Sequence, residues 1–181
     1  MTVVTLLQHD GDWTVEDLRG LPDDGLQYEL ADGVLLVSPS PRPAHQRALG
    51  QLFLQLSAAC PPELEVFVAP LDFQPMPRRS LQPDLLVVRK EDVGPLVIER
   101  PLQLAVEILS PPTRAKDLLV KRVLYEDSEV ASMWVVDLDV PSITGWVLRD
   151  GRWSEERHAR GEEVFYADLP FPVAVRPVDL L

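Results

Sequence analysis

"LQPDLLVVR", residues 81–89, places a proline and an aspartate directly ahead of an apolar run. Leu85–Val88 reads as a buried strand, because consecutive apolar residues suit a strand covered on both faces. An aspartate there is either a turn residue accepting backbone hydrogen bonds or a group placed for chemistry. A second stretch, "LQLAVEILSPPT", residues 102–113, poses the same question with Glu107 between Val106 and Ile108. An ionised glutamate in a central strand is costly to bury without a partner. Either it has one, or that strand is exposed on one side.

The flanking segments supply the rest of the architecture. "WTVEDLRGLPDDG" (13–25) predicts a short helix with Thr14 as N-cap, stopped by Gly20 and Pro22. "LQYELADGVLLVSPSP" (26–41) reads as a hairpin turning at Asp32-Gly33, with Tyr28 and Leu30 on one face and Glu29 on the other. Leu49, Leu52, Phe53, Leu56 and Ala59 form the stripe of a core-facing helix that Pro61 and Pro62 end. Strands are predicted over 65–73, 83–89 and 102–109. A helix follows, capped by Thr113, with Leu119, Val120, Val123 and Leu124 facing inward. "ASMWVVDLD" (131–139) is a further buried strand, and "ITGWVLRDGRWSEER" (143–157) a hairpin turning at Asp150-Gly151. The proline-spaced tail reads as edge strand and loop. This order predicts one α/β (α+β) domain around a mixed central sheet, its core about 13–139 with a C-terminal β extension over 140–181.

Composition narrows the function classes. Hydrophobic residues make up 46% and charged residues 25% of the 181, the balance of a globular protein. No apolar run approaches the roughly 20 residues that span a bilayer. The N-terminus shows no signal-peptide pattern, so a cytoplasmic location is the expectation. Cys60 is the only cysteine, which excludes an internal disulfide and a cysteine-cluster zinc site. The net charge of −12 counts against a nucleic-acid reader with a broad basic surface. It leaves a nuclease open, because bound divalent cations and a local basic patch offset carboxylates.

If strands 83–89 and 102–109 are neighbours, Asp84 and Glu107 lie within a few ångströms of each other. Two such carboxylates repel unless one is protonated or a cation sits between them. Oxygen pairs suit Mg2+ or Mn2+, which accept one or two carboxylates beside water and phosphate oxygens. Lys121 is a third candidate: its stem either reaches across apolar surface to the carboxylates or forms an i,i+4 surface pair with Asp117.

The motifs "PDLLVV", "VEILSPPTRAKDLLVKRVLYEDSEV" and "MWVVDLD", in this order, resemble the PD-(D/E)XK nuclease superfamily with its restriction-endonuclease-like fold. More narrowly, "YELADGVLLVSPSPRPAHQRALGQL" followed by those stretches is similar to the Uma-two family, a large bacterial group of endonuclease type. The likeness runs from about Trp13 to Asp139. It implies that Asp84 and Glu107 bind the metal and that Lys121 replaces the strand lysine of E-x-K, where Leu109 stands here. It also brings in Glu29 and His45 as weaker candidates. Glu29 faces the same cleft or only solvent, and His45 is catalytic or simply a polar helix-start residue. Arg114 either contacts a phosphate or covers the helix start. The expected function is a magnesium-dependent endonuclease acting on phosphodiester bonds, with DNA as partner. The alternative is a catalytically weak or inactive nuclease-fold module, with an apolar tail suited to a homodimer. A carboxylate-pair glycosidase ranks third, for want of an aromatic sugar platform.

Overall fold

The computed structural model describes residues 11–38, 40–109 and 114–181, and only the backbone of 114–117 and 155–156. The expected Thr113 cap and the side chains of Arg114 and Asp117 lie outside the described residues. Thr14 caps helix α1 (Val15–Leu18) reciprocally: its side chain accepts from the Asp17 N–H, and its own N–H donates to the Asp17 carboxylate at 2.8 Å. Strands β1 (Gln27–Ala31) and β2 (Val34–Ser38) form the expected hairpin. Asp32 and Gly33 take φ of 48° and 90°, the positive values that a tight two-residue hairpin turn requires. Helix α2 (Pro43–Ala59) follows, then β3 (Leu64–Val68), β4 (Phe73–Met76), β5 (Arg79–Leu81), β6 (Leu85–Arg89) and β7 (Leu104–Leu109). Helix α3 (Arg114–Asp127) leads to β8 (Ser132–Asp137), β9 (Ser142–Arg149), β10 (Arg152–Arg160), β11 (Phe165–Ala167) and β12 (Val173–Val175).

Six strands build the main sheet in the order β10-β9-β8-β7-β6-β3. β7 and β8 run parallel, and α3 provides the crossover that such neighbours need. The other pairings are antiparallel. Alternation divides each central strand between two cores. Leu85, Val87, Leu104, Val106 and Ile108 pack with Leu49, Leu52 and Leu56 of α2, whereas Leu86, Val88 and Ala105 pack with Leu124 and Tyr125 of α3. This two-sided burial explains the unbroken apolar runs. The mixed, helix-flanked sheet is the one the sequence predicts.

A second sheet, β2-β1-β5-β4, departs from that prediction. The run over 65–73 is not one strand: β3 stops at Val68, and Phe73 already belongs to the second sheet. Pro70 has no N–H to continue the ladder, and the chain leaves the main sheet there. On α3, Leu124 is buried, but Leu119, Val120 and Val123 are 61%, 45% and 54% exposed, against expectation. Ala59 of α2 is exposed as well. The tail forms short strands and loop as expected, apart from the main sheet. β11 and β12 pair with each other, and Phe165, Phe171, Val175 and Leu180 are buried in the α2-side core. Gly145 on β9 makes room for this: a Cβ there would stand 2.7 Å from the Phe165 ring.

Candidate active site

Antiparallel pairing sets Leu85 opposite Val106, so one step further Asp84 stands opposite Glu107. Counting by two also puts both on the α3 side of the sheet. Pro83, without an N–H, ends the passage from β5 and delivers Asp84 at the mouth of β6. One Asp84 oxygen, Oδ2, accepts the Ile108 N–H at 2.6 Å. The other lies 3.1 Å from Nε2 of His45, a buried residue in the first turn of α2. Asp84 therefore ties β6, β7 and α2 together.

Glu107 is buried and held at both oxygens. Lys121 Nζ lies 3.1 and 3.0 Å from its Oε1 and Oε2, and the Tyr125 hydroxyl donates to Oε1 at 2.6 Å. Lys121 and Tyr125 are four residues apart on α3 and share one face, which places both donors over the same carboxylate. The Lys121 ammonium also stands 3.0 Å from Glu29 Oε1, and that oxygen accepts the Gln82 N–H at 2.8 Å. Gln82 lies where the chain crosses from the second sheet to the first. That crossing brings Glu29 of β1 to a site built mainly on β6 and β7. All five candidates, Glu29, His45, Asp84, Glu107 and Lys121, meet in one cluster. Tyr125 escaped the sequence reading, although its i+4 spacing from Lys121 was visible.

The charges are strongly coupled to burial. Burial drives the Glu107 carboxyl up to about 7, with Asp84 and Glu29 pushing the same way and Lys121 and Tyr125 pulling back. Burial opposes the Lys121 charge, yet Glu107 and Glu29 outweigh it and hold the ammonium above its ordinary value. Burial, then the Glu107 charge, keeps the Tyr125 hydroxyl protonated well past its usual range. Burial works against a charged His45, but its hydrogen bond and charge contact with Asp84 raise it overall. His45 Nδ1 is buried without a hydrogen-bond partner.

Among the described residues no three His, Cys, Asp or Glu side chains form a group able to hold a metal ion. A closed cage of protein ligands is therefore not what this cluster offers. Two facing carboxylates do fit Mg2+ or Mn2+, which take one or two carboxylates and fill the remaining positions with water and phosphate oxygens. The donor chemistry agrees, since the set is oxygen-rich and lacks thiolate. Asp84 and Glu107 are the residues that would hold such an ion. Glu29 is set to anchor Lys121, because the ammonium stands between it and Glu107.

Comparison with known proteins agrees with this architecture. A crystal structure described as "a putative nuclease belonging to DUF820 from Anabaena variabilis ATCC 29413" superposes with a TM-score of 0.72 at 16% identity. The match covers 93% of this chain and 97% of that one, and at this identity it speaks for the fold. No curated protein matches significantly. The family model Uma2, described as "Putative restriction endonuclease", matches residues 15–179. Two carboxylates facing across adjacent strands and a lysine reaching them from the next helix thus sit in a chain that belongs to the Uma2 family of restriction-endonuclease-like proteins.

Proposed function

We propose that the protein is a magnesium-dependent endonuclease that hydrolyses phosphodiester bonds in DNA. The observation that carries this reading is the convergence of Asp84 and Glu107 from adjacent strands, with Lys121 on the second carboxylate. Strongly shifted ionisable groups gathered in one place are characteristic of functional sites. A divalent cation held by Asp84 and Glu107 would supply charge to a phosphoryl oxygen and acidify water at the site. The chain's own residues do the rest. The Ile108 N–H and His45 fix the Asp84 carboxylate from two sides. Lys121 keeps its proton and aims a fixed positive charge, able to orient the attacking water or stabilise charge growing on the phosphoryl group. Glu29 holds that ammonium in place, doing for a helix lysine what a strand would do for a lysine at position 109. Burial between the sheet and α3 excludes bulk water around Glu107, which strengthens each of these interactions.

The net charge of −12 favours a second reading, a nuclease-fold module that binds without cleaving. One assay separates the two. Purified protein with a plasmid substrate and Mg2+ is expected to cleave, and Asp84→Ala and Glu107→Ala are each expected to abolish cleavage. Cleavage by either variant at the wild-type rate would overturn the assignment.

A further inference from the structure

We propose that Tyr125 decides which divalent cation the site accepts, by closing one oxygen of Glu107 and leaving the other as a single-point ligand. The inference rests on the metal-binding reading of Asp84 and Glu107 and extends it to a residue outside that pair. Tyr125 is fully buried, and its hydroxyl donates to Glu107 Oε1 at 2.6 Å. Oε1 also meets Lys121 Nζ at 3.1 Å, whereas among the described residues Oε2 meets only that ammonium, at 3.0 Å. A carboxylate oxygen offers about two acceptor positions. Oε1 is therefore filled and Oε2 keeps one position open. Asp84 keeps one position on each oxygen, since Oδ2 accepts the Ile108 N–H and Oδ1 meets His45 Nε2 at 3.1 Å.

While Tyr125 donates, Glu107 cannot grip an ion through both oxygens. Ca2+ gathers more ligands at longer range and readily takes bidentate carboxylates, whereas Mg2+ demands a compact octahedron with single-oxygen contacts. A glutamate limited to one oxygen thus favours Mg2+ and Mn2+ over Ca2+. Tyr125 touches neither ion nor substrate; it is a positioning residue that acts through Glu107. A partner of this kind is worth roughly tenfold or more in metal affinity where such partners have been removed.

The test is calorimetric titration of the wild-type protein and Tyr125→Phe with Mg2+ and with Ca2+ separately. The wild type is expected to prefer Mg2+. The variant is expected to bind Mg2+ about tenfold more weakly while holding Ca2+ at least as tightly, so the Mg2+/Ca2+ ratio falls by about tenfold. A purely structural loss would weaken both ions alike and leave the ratio unchanged, and that result overturns the inference alone. A wild type that binds neither ion overturns it together with the metal reading. Should the variant fail to fold, a Mn2+-soaked wild-type crystal decides instead: Oε2 as the only Glu107 ligand supports the inference, and coordination through Oε1 or both oxygens refutes it.

Discussion

Glu107 sits where an isolated carboxylate would be strongly disfavoured, and the protein meets that cost with an ammonium and a phenol. The compensation is incomplete, because its pKa still stands near 7 against an ordinary 4.5. The consequence for stability has a definite sign. Between those two values the unfolded chain has released a proton that the folded chain still holds, so stability is greatest below the lower value and falls as pH rises through the upper one. His45, raised from its ordinary 6.5, acts in the same direction: its contribution is present below that value and lost as pH rises through the folded one. The metal-free protein is therefore expected to lose unfolding free energy from about pH 5 to pH 8 in urea titrations. Glu107→Gln should flatten that slope, and identical slopes in the two proteins would contradict the reading. At this scale the sequence was informative about identity and poor about partners. Asp84 and Glu107 stood out as acids interrupting apolar runs, whereas nothing in the sequence singled out Tyr125.

Helix α3 shows why an element can be found correctly and oriented wrongly. Its apolar residues Leu119, Val120 and Val123 suggest one inward face, yet the buried face runs through Lys121, Leu124, Tyr125 and Ser128. The orientation is set by polar residues with partners inside. Besides the Glu107 contacts, Arg79 donates to the Leu124 carbonyl at 2.9 Å and to Ser128 Oγ at 2.8 Å, and grips Asp32 of the β1–β2 turn. Hydrophobic periodicity cannot register a face built for charge. Leu124→Ala is accordingly predicted to cost about 2–5 kcal/mol, the range for a large core residue cut to alanine. Leu119→Lys, on the exposed side, should stay within about 0.5 kcal/mol. Urea denaturation of both variants checks this, and the reverse order would restore the orientation that the apolar residues suggested. The Asp32-Gly33 and Asp150-Gly151 turns, by contrast, were legible from two residues each, because positive φ narrows the choice so sharply.

Across the whole molecule, the site exists only when distant segments assemble. β1 of the second sheet brings Glu29, α2 brings His45, β6 and β7 bring the facing carboxylates, and α3 brings Lys121 and Tyr125. The second sheet was the least legible part of the fold, because β4 and β5 are short, with Pro75 inside β4 and Pro77 just beyond it. The tail does form short strands and loop as read, but no sequence signal showed that its aromatic residues complete the core beneath α2. Phe165 meets Trp134 edge-on at 5.0 Å, so part of the tail's apolar surface is used within the chain, while Tyr166 and Leu169 stay exposed. No helix among the described residues is long and apolar enough to cross a membrane. The central claim is that this assembly makes Asp84 and Glu107 into one cation site. Calorimetric titration of the intact protein with Mg2+ or Mn2+ tests it most directly. Saturable binding in the wild type that vanishes in Asp84→Asn is the predicted result. No binding at millimolar metal, or undiminished binding by the variant, would contradict it.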